Sequence, residues 1–181
     1  MTKAGLPFLW LYGPSGVGKS TVAWEIHRLL GASGMDGAFV DADQLGLCYP
    51  AGDGDPDNHR IKAANLAAAW QGFGAAGAQY LVLSGYVRSA DEVRLYAQAV
   101  PDAALTLCRL RASRTVLQER FLRRGYLVEH VAQTLEEAEV LDRSELTDVV
   151  VDTDGRCPQH LAQQICGVGG VWPVLRSGRE A

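Results

Sequence analysis

The segment Gly13-Pro14-Ser15-Gly16-Val17-Gly18-Lys19-Ser20-Thr21 constrains the fold of this chain more than any other. It fits the pattern G-x-x-x-x-G-K-[ST], whose glycines let successive backbone N–H groups turn toward one anion. An apolar run, Phe8-Leu9-Trp10-Leu11-Tyr12, leads in, and an amphipathic stretch from Val22 to Leu30 leads out. Strand, glycine loop and helix is the context the motif needs, because the helix N-terminus adds partial positive charge to the amide cup. The pattern predicts binding of a nucleoside triphosphate. Lys19 would reach the β- and γ-phosphates, and the hydroxyl of Ser20 would hold Mg²⁺. The alternative, a glycine turn that only caps a helix, leaves Lys19 unexplained.

The chain has 181 residues and a net charge of −4. That length predicts a single domain over residues 1–181. The mild acidity favours neither nucleic acid nor an anionic membrane as partner. Nowhere does an apolar run approach the roughly 18 to 20 residues of a membrane span. Met1-Thr2-Lys3-Ala4-Gly5 runs straight into the first strand, which predicts no signal peptide and a cytoplasmic address. Cys48, Cys108, Cys157 and Cys166 form no C-x-x-C pair, so neither structural zinc nor a disulfide framework is expected. Cys108, inside an apolar run, reads as a buried thiol.

Apolar runs alternate with helical patterns along the chain, the mark of a parallel sheet with crossover helices. Strands are expected at Phe8–Tyr12, Ala38–Val40, Tyr80–Leu83, Ala104–Leu110 and Asp148–Val151. Helices are expected after the glycine loop, over Asn58–Ala76, after a Ser89 cap, over Ser113–Ser144 with a break at Gly125, and over His160–Ile165. The expected fold is therefore α/β: a doubly wound, five-stranded parallel sheet of the P-loop NTPase type with flanking helices. A helical lid would cover about 114–145, hinged at Gly125, and a loosely docked tail would follow from 167 to 181. In such sheets ligands meet the carboxyl ends of the strands.

Three strand ends bear on chemistry. Alternation after the second strand puts Asp41 and Asp43 on one side, beside the phosphate site. One carboxylate of such a pair can hold Mg²⁺ through water, while the other orients or deprotonates an acceptor hydroxyl. The plainer alternative is that Asp43 caps a short helix beginning at Gln44, and the position at a strand end favours the site reading. The third strand ends Leu83-Ser84-Gly85-Tyr86, without the acid that motor and switch ATPases place there. In Leu117-x-x-Arg120-Phe121-x-x-Arg124, the two arginines share a helix face and could stabilise a migrating phosphoryl group. A solvated basic face paired with Glu119 is the plainer reading. Asn58, Arg60 and Arg88 could converge on an acceptor, whereas His59 reads as an exposed helix-start residue. Asp152-Thr153-Asp154-Gly155 could pass under a nucleotide base, or be a plain turn.

The loop, the Phe-x-Asp-x-Asp strand end and the arginine-bearing helix together resemble the P-loop small-molecule kinases, over about residues 7–166. Shikimate kinase, gluconate kinase, chloramphenicol phosphotransferase and adenylylsulfate kinase belong to that group. The resemblance implies that Asp41 helps hold magnesium and that Asp43 contacts the acceptor hydroxyl. Asp57-Asn58-His59-Arg60 and Ser84-Gly85-Tyr86-Val87-Arg88 resemble the acceptor region of adenylylsulfate kinase, although the second run lacks that family's proline. The activity implied is transfer of the γ-phosphoryl group of ATP to a hydroxyl on a metabolite, a nucleotide or an antibiotic, by a monomer or homodimer. Two alternatives are a nucleoside-monophosphate kinase, which needs Arg60 and Arg88 for an acceptor phosphate, and a regulatory protein that binds nucleotide without turnover.

Overall fold

The computed structural model describes residues 5–124, 131–167 and 170–172. Its strands are β1 (Leu6–Tyr12), β2 (Ala38–Asp41), β3 (Leu81–Ser84), β4 (Ala103–Arg111) and β5 (Val149–Asp152). Its helices are α1 (Lys19–Ala32), α2 (Ala42–Leu45), α3 (His59–Ala75), α4 (Ala90–Ala99), α5 (Arg114–Arg124), α6 (Val131–Asp142) and α7 (Pro158–Cys166). The strands form one sheet in the order β2-β3-β1-β4-β5, and every pairing is parallel. The doubly wound α/β architecture read from the alternating pattern is the one found.

β1 sits at the centre and is buried on both faces, which is why its sequence is an unbroken apolar run. Leu9 and Leu11 pack toward Ile26 and Leu30 of α1 and Leu161 and Ile165 of α7. Phe8, Trp10 and Tyr12 pack on the other face with Leu66 of α3 and Tyr96 of α4. Trp10 and Tyr96 stack at a tilt, ring centroids 4.5 Å apart, a geometry that adds to simple burial. Cys108 is buried in β4, and desolvation pushes its thiol up to about 12.

Local signals hold at several element ends. Ser89 caps α4 by accepting the Glu92 N–H, with Asp91 and Glu92 in the first turn. Helices α5 and α6, over which a lid was expected, are anchored to the rest of the fold. Leu117 and Phe121 of α5 are each 1% exposed, and Arg109 of β4 donates to the Leu141 carbonyl and to Asp142, 2.7 Å away, at the end of α6. Gly125 and the rest of 125–130 lie outside the described residues. The tail is not uniformly loose: Trp172 is buried, packs edge-on against Tyr80, and donates its N–H to Ile165 O at 2.8 Å. Among the described residues no helix is long and apolar enough to cross a membrane.

Candidate active site

The glycine loop leaves β1 at Gly13 and enters α1 at Lys19. Gly13, Gly16 and Gly18 all take positive φ (149°, 75° and 105°), which only glycine adopts without strain. Space forbids a side chain too: a Cβ on Gly13 would stand 2.4 Å from the Leu110 carbonyl oxygen, and one on Gly16 would stand 2.7 Å from the Phe121 ring. Pro14 and Val17 are buried within the loop.

The loop opens on a cleft of about 190 Å³ lined by Ser15, Gly16, Gly18, Lys19, Ser20, Thr21 and Asp43. Lys19 is 8% exposed, and its Nζ donates to the carbonyls of Gly13 (3.0 Å) and Pro14 (3.2 Å). Ser20 Oγ donates to Asp41 Oδ2 at 2.5 Å. Asp41 also accepts the N–H of Asp43 at 3.1 Å, which makes Asp41 the N-cap of α2. The strand thus ends two residues earlier than alternation through Asp43 would need, and Asp43 lies in a helical turn. It reaches the cleft from the helix rather than from the strand. Asp43 Oδ1 pairs with Lys62 Nζ of α3 at 3.2 Å. No motif marks Lys62; only the packing of α2 on α3 reveals it.

The residues present fit a magnesium ion of the kind that nucleotide sites use. A hydroxyl and a carboxylate stand side by side at the cleft, and Mg²⁺ in such sites takes one or two protein oxygens, with phosphates and water completing the shell. Ser84 pairs in register with Asp41 and is fully buried, and its Oγ has no hydrogen-bond partner among the described residues. Phe39 and Val82 belong to the α1-side core, so Asp41 and Ser84, two residues further on, share that face. Among the described residues no group of three His, Cys, Asp or Glu is placed to hold a metal ion.

A second cleft, of about 240 Å³, lies behind the loop, lined by Gly16, Val17, Thr21, Arg120, Thr153, Arg156 and Pro158 among others. Arg120 belongs to it: its guanidinium donates to Val17 O (2.8 Å), Thr153 Oγ1 (3.0 Å) and Thr153 O (3.1 Å). These contacts turn Arg120 toward the β5 loop, not toward the cleft that holds Asp43. The side chain of Arg124 lies outside the described residues. Arg156 and Pro158 had no signal in the sequence beyond Pro158 starting a helix.

The proposed acceptor trio separates. Asn58 sits in the left-handed region (φ 56°), and its amide donates to the carbonyls of Gly46 (3.0 Å) and Cys48 (2.9 Å), bracing the loop before α3. Arg60 and Arg88 line a third cleft of about 270 Å³ with His59 and Glu92. Arg88 is paired with Asp57 (3.0 Å) and Glu92 (3.1 Å). His59 is not exposed but 3% accessible, with Nδ1 3.0 Å from the Tyr96 hydroxyl. Burial, more than any charge, lowers its pKa, while Glu92 opposes that shift. The sequence missed this because His59 points back between α3 and α4 rather than out from the helix start. Arg88 also reaches a fourth cleft, of about 240 Å³, shared with Asp57, Tyr86, Glu136 and Glu137. From α6, Glu137 accepts the backbone N–H of Ser15, in the phosphate loop itself, at 3.0 Å.

No curated protein sequence matches the chain. Similar solved structures include the tunicamycin resistance protein of Deinococcus radiodurans, with 24% identity and a TM-score of 0.64 over 87% of this chain and 92% of that one. A gluconokinase from Sinorhizobium meliloti 1021 has 22% identity and a TM-score of 0.58 over 89% and 90%. The Mycobacterium tuberculosis APS kinase, solved with AMPPNP and APS, has 23% identity and a TM-score of 0.61 over 90% and 96%. At these identities the likeness is one of fold. A family model described as AAA domain matches residues 10–142, well over half of the chain. With that match spanning the end of β1, the glycine loop and strands β2, β3 and β4, the chain belongs to the AAA domain family and carries the P-loop NTPase fold.

Proposed function

We propose that this protein is an ATP-dependent kinase that transfers the γ-phosphoryl group to a hydroxyl on a small molecule. The observation that carries the reading is one cleft in which the loop amides, Lys19, Ser20 and the Asp43 carboxylate meet. The structural likeness to a gluconokinase and an APS kinase supports the same reaction class.

The chain's own groups divide the work. The amides of residues 15–21 and the N-terminus of α1 cradle the phosphates, and Lys19 adds a point charge at the cleft floor. Ser20 and Asp41 would hold magnesium, which when bound would supply positive charge to the phosphates. The acceptor oxygen bonds to the γ-phosphorus as the bond from phosphorus to the β–γ bridging oxygen breaks, and ADP leaves with that electron pair. Asp43 orients the hydroxyl and takes its proton, and Lys62 holds Asp43 in place. Arg120, Arg156 and Pro158 flank the base side. The test is ADP release measured with and without an acceptor panel. Acceptor-dependent release supports the kinase; nucleotide binding with none favours a protein that senses ATP.

A further inference from the structure

Resting on the kinase reading, we infer that Lys62 is a catalytic residue whose ammonium, beyond holding Asp43, contacts the γ-phosphoryl group as it is transferred.

The lysine reaches the site from outside the glycine loop. Asn58 at the start of α3, Lys62 and Asn65 are spaced four and three apart, which sets them on one face of the helix. All three reach across to α2 and its end. The Asn58 amide donates to Gly46 O (3.0 Å), Lys62 Nζ to Asp43 Oδ1 (3.2 Å) and the Asn65 amide to Leu45 O (2.8 Å). The two asparagines therefore fix the helix on either side of Lys62. Its stem runs over Gly46, where a Cβ would stand 2.5 Å from Lys62 Cε and 2.7 Å from Cγ. Lacking a side chain, Gly46 lets the stem pass, and the lysine side chain is left only 12% exposed. A long, flexible side chain is thus held to one course. A charge fixed in this way needs little reorganisation when the reaction calls on it.

The donor count says what the ammonium does beyond Asp43. It carries three N–H donors and no acceptor. Asp43 takes one of them, and among the described residues no other group takes the remaining two. Asp43 lines the same cleft as Lys19 and Ser20, so the spare donors stand beside the place of transfer. An attacking hydroxyl lies about 3 Å from its base and about 3–3.5 Å from phosphorus, which brings the phosphoryl oxygens within a terminal rotation of Lys62. Charge movement favours the same contact. Before transfer the Asp43 carboxylate balances the ammonium. As Asp43 takes the hydroxyl proton its negative charge is lost, while negative charge gathers on the phosphoryl oxygens, and Lys62 follows it from one to the other.

The experiment is titration calorimetry of the full chain at fixed Mg²⁺ with three probes: ADP, AMPPNP, and ADP with aluminium fluoride, which mimics the phosphoryl group in transit. Lys62→Met keeps the stem and removes the charge. It is expected to weaken the aluminium fluoride complex about tenfold and AMPPNP about threefold, and to leave ADP within about twofold. Gly46→Ala, which crowds the stem and leaves every charge in place, is expected to show the same order of losses. A lysine that only holds Asp43 predicts no such split. Unchanged affinity of Lys62→Met for all three probes, or an equal loss with all three, overturns the inference. Should aluminium fluoride add nothing to ADP binding in wild type, the ratio of AMPPNP to ADP affinity decides by the same criterion. If Lys62→Met fails to fold, Gly46→Ala carries the test with the same outcomes. Wild type that binds none of the probes sinks the kinase reading itself, whereas binding that ignores Lys62 sinks only the role of the lysine.

Discussion

Asp41 and Asp43 are two residues apart yet do different things, because β2 stops between them. Asp41 accepts from Ser20 through one oxygen and caps α2 through the other. Asp43, half exposed, keeps an oxygen toward the cleft. Asp43→Asn is therefore expected to lower kcat by about two to four decades while leaving ATP affinity within a few-fold. A single-turnover assay beside a binding titration checks both halves. Glu137 gives an opposite expectation. Its carboxylate occupies a loop amide that a phosphate needs, so Glu137→Ala should tighten AMPPNP binding by about two- to fivefold, read by calorimetry at fixed Mg²⁺. The sequence marked Lys19, Ser20, Asp41 and Asp43 as candidates for the chemistry. It could not show Glu137 on Ser15 or Lys62 on Asp43, because those pairs are 122 and 19 positions apart and no local pattern records them.

Each element boundary that matters is set by a side chain reaching back to the backbone. α3 begins where Asp55 accepts the N–H groups of His59 (2.8 Å) and Arg60 (2.9 Å), and this start points the His59 ring inward onto Tyr96. His59 faces Glu92 from α4, Lys62 from its own helix, and Asp55 and Asp57 from the preceding loop. Its folded pKa is lowered below the ordinary 6.5, so the unfolded chain takes up the proton first. Stability should therefore fall as pH drops below about 6.5, by up to about 1.4 kcal/mol per pH unit for one such group, until the folded value is passed. His27, also lowered by burial, adds to the slope. Urea midpoints of wild type and His59→Gln between pH 7.5 and 5 check this, with the variant expected to show the shallower dependence. At the other boundary, Gly13→Ala forces a Cβ against the Leu110 carbonyl and should cost about 1–3 kcal/mol or more, measured by the same unfolding titration. Helix and strand positions were legible to within a few residues because β1 and β3 are buried runs flanked by glycine and proline. The inward turn of His59 and the bracing role of Asn58 were not, since both depend on a loop folding back from residues 46–55.

Across the whole molecule, the sheet order β2-β3-β1-β4-β5 brings three loop regions to one edge: the phosphate loop after β1, α2 after β2 and the Tyr86–Arg88 segment after β3. The α5–α6 pair closes over them from the β4 side, with Phe121 against Gly16 and Glu137 against Ser15. This convergence was legible because right-handed crossovers in a parallel sheet put every such loop at the carboxyl edge. Which arginine faces which cleft was not legible, as Arg120 shows by turning to Thr153. That edge is expected to hold a nucleotide's polyphosphate, and titration calorimetry of the full chain with AMPPNP and Mg²⁺ tests this most directly. The prediction is one site per chain in wild type, weakened about tenfold or more in Lys19→Ala, where a charged contact is lost. An equal binding isotherm for the two proteins, or no heat in either, would contradict it.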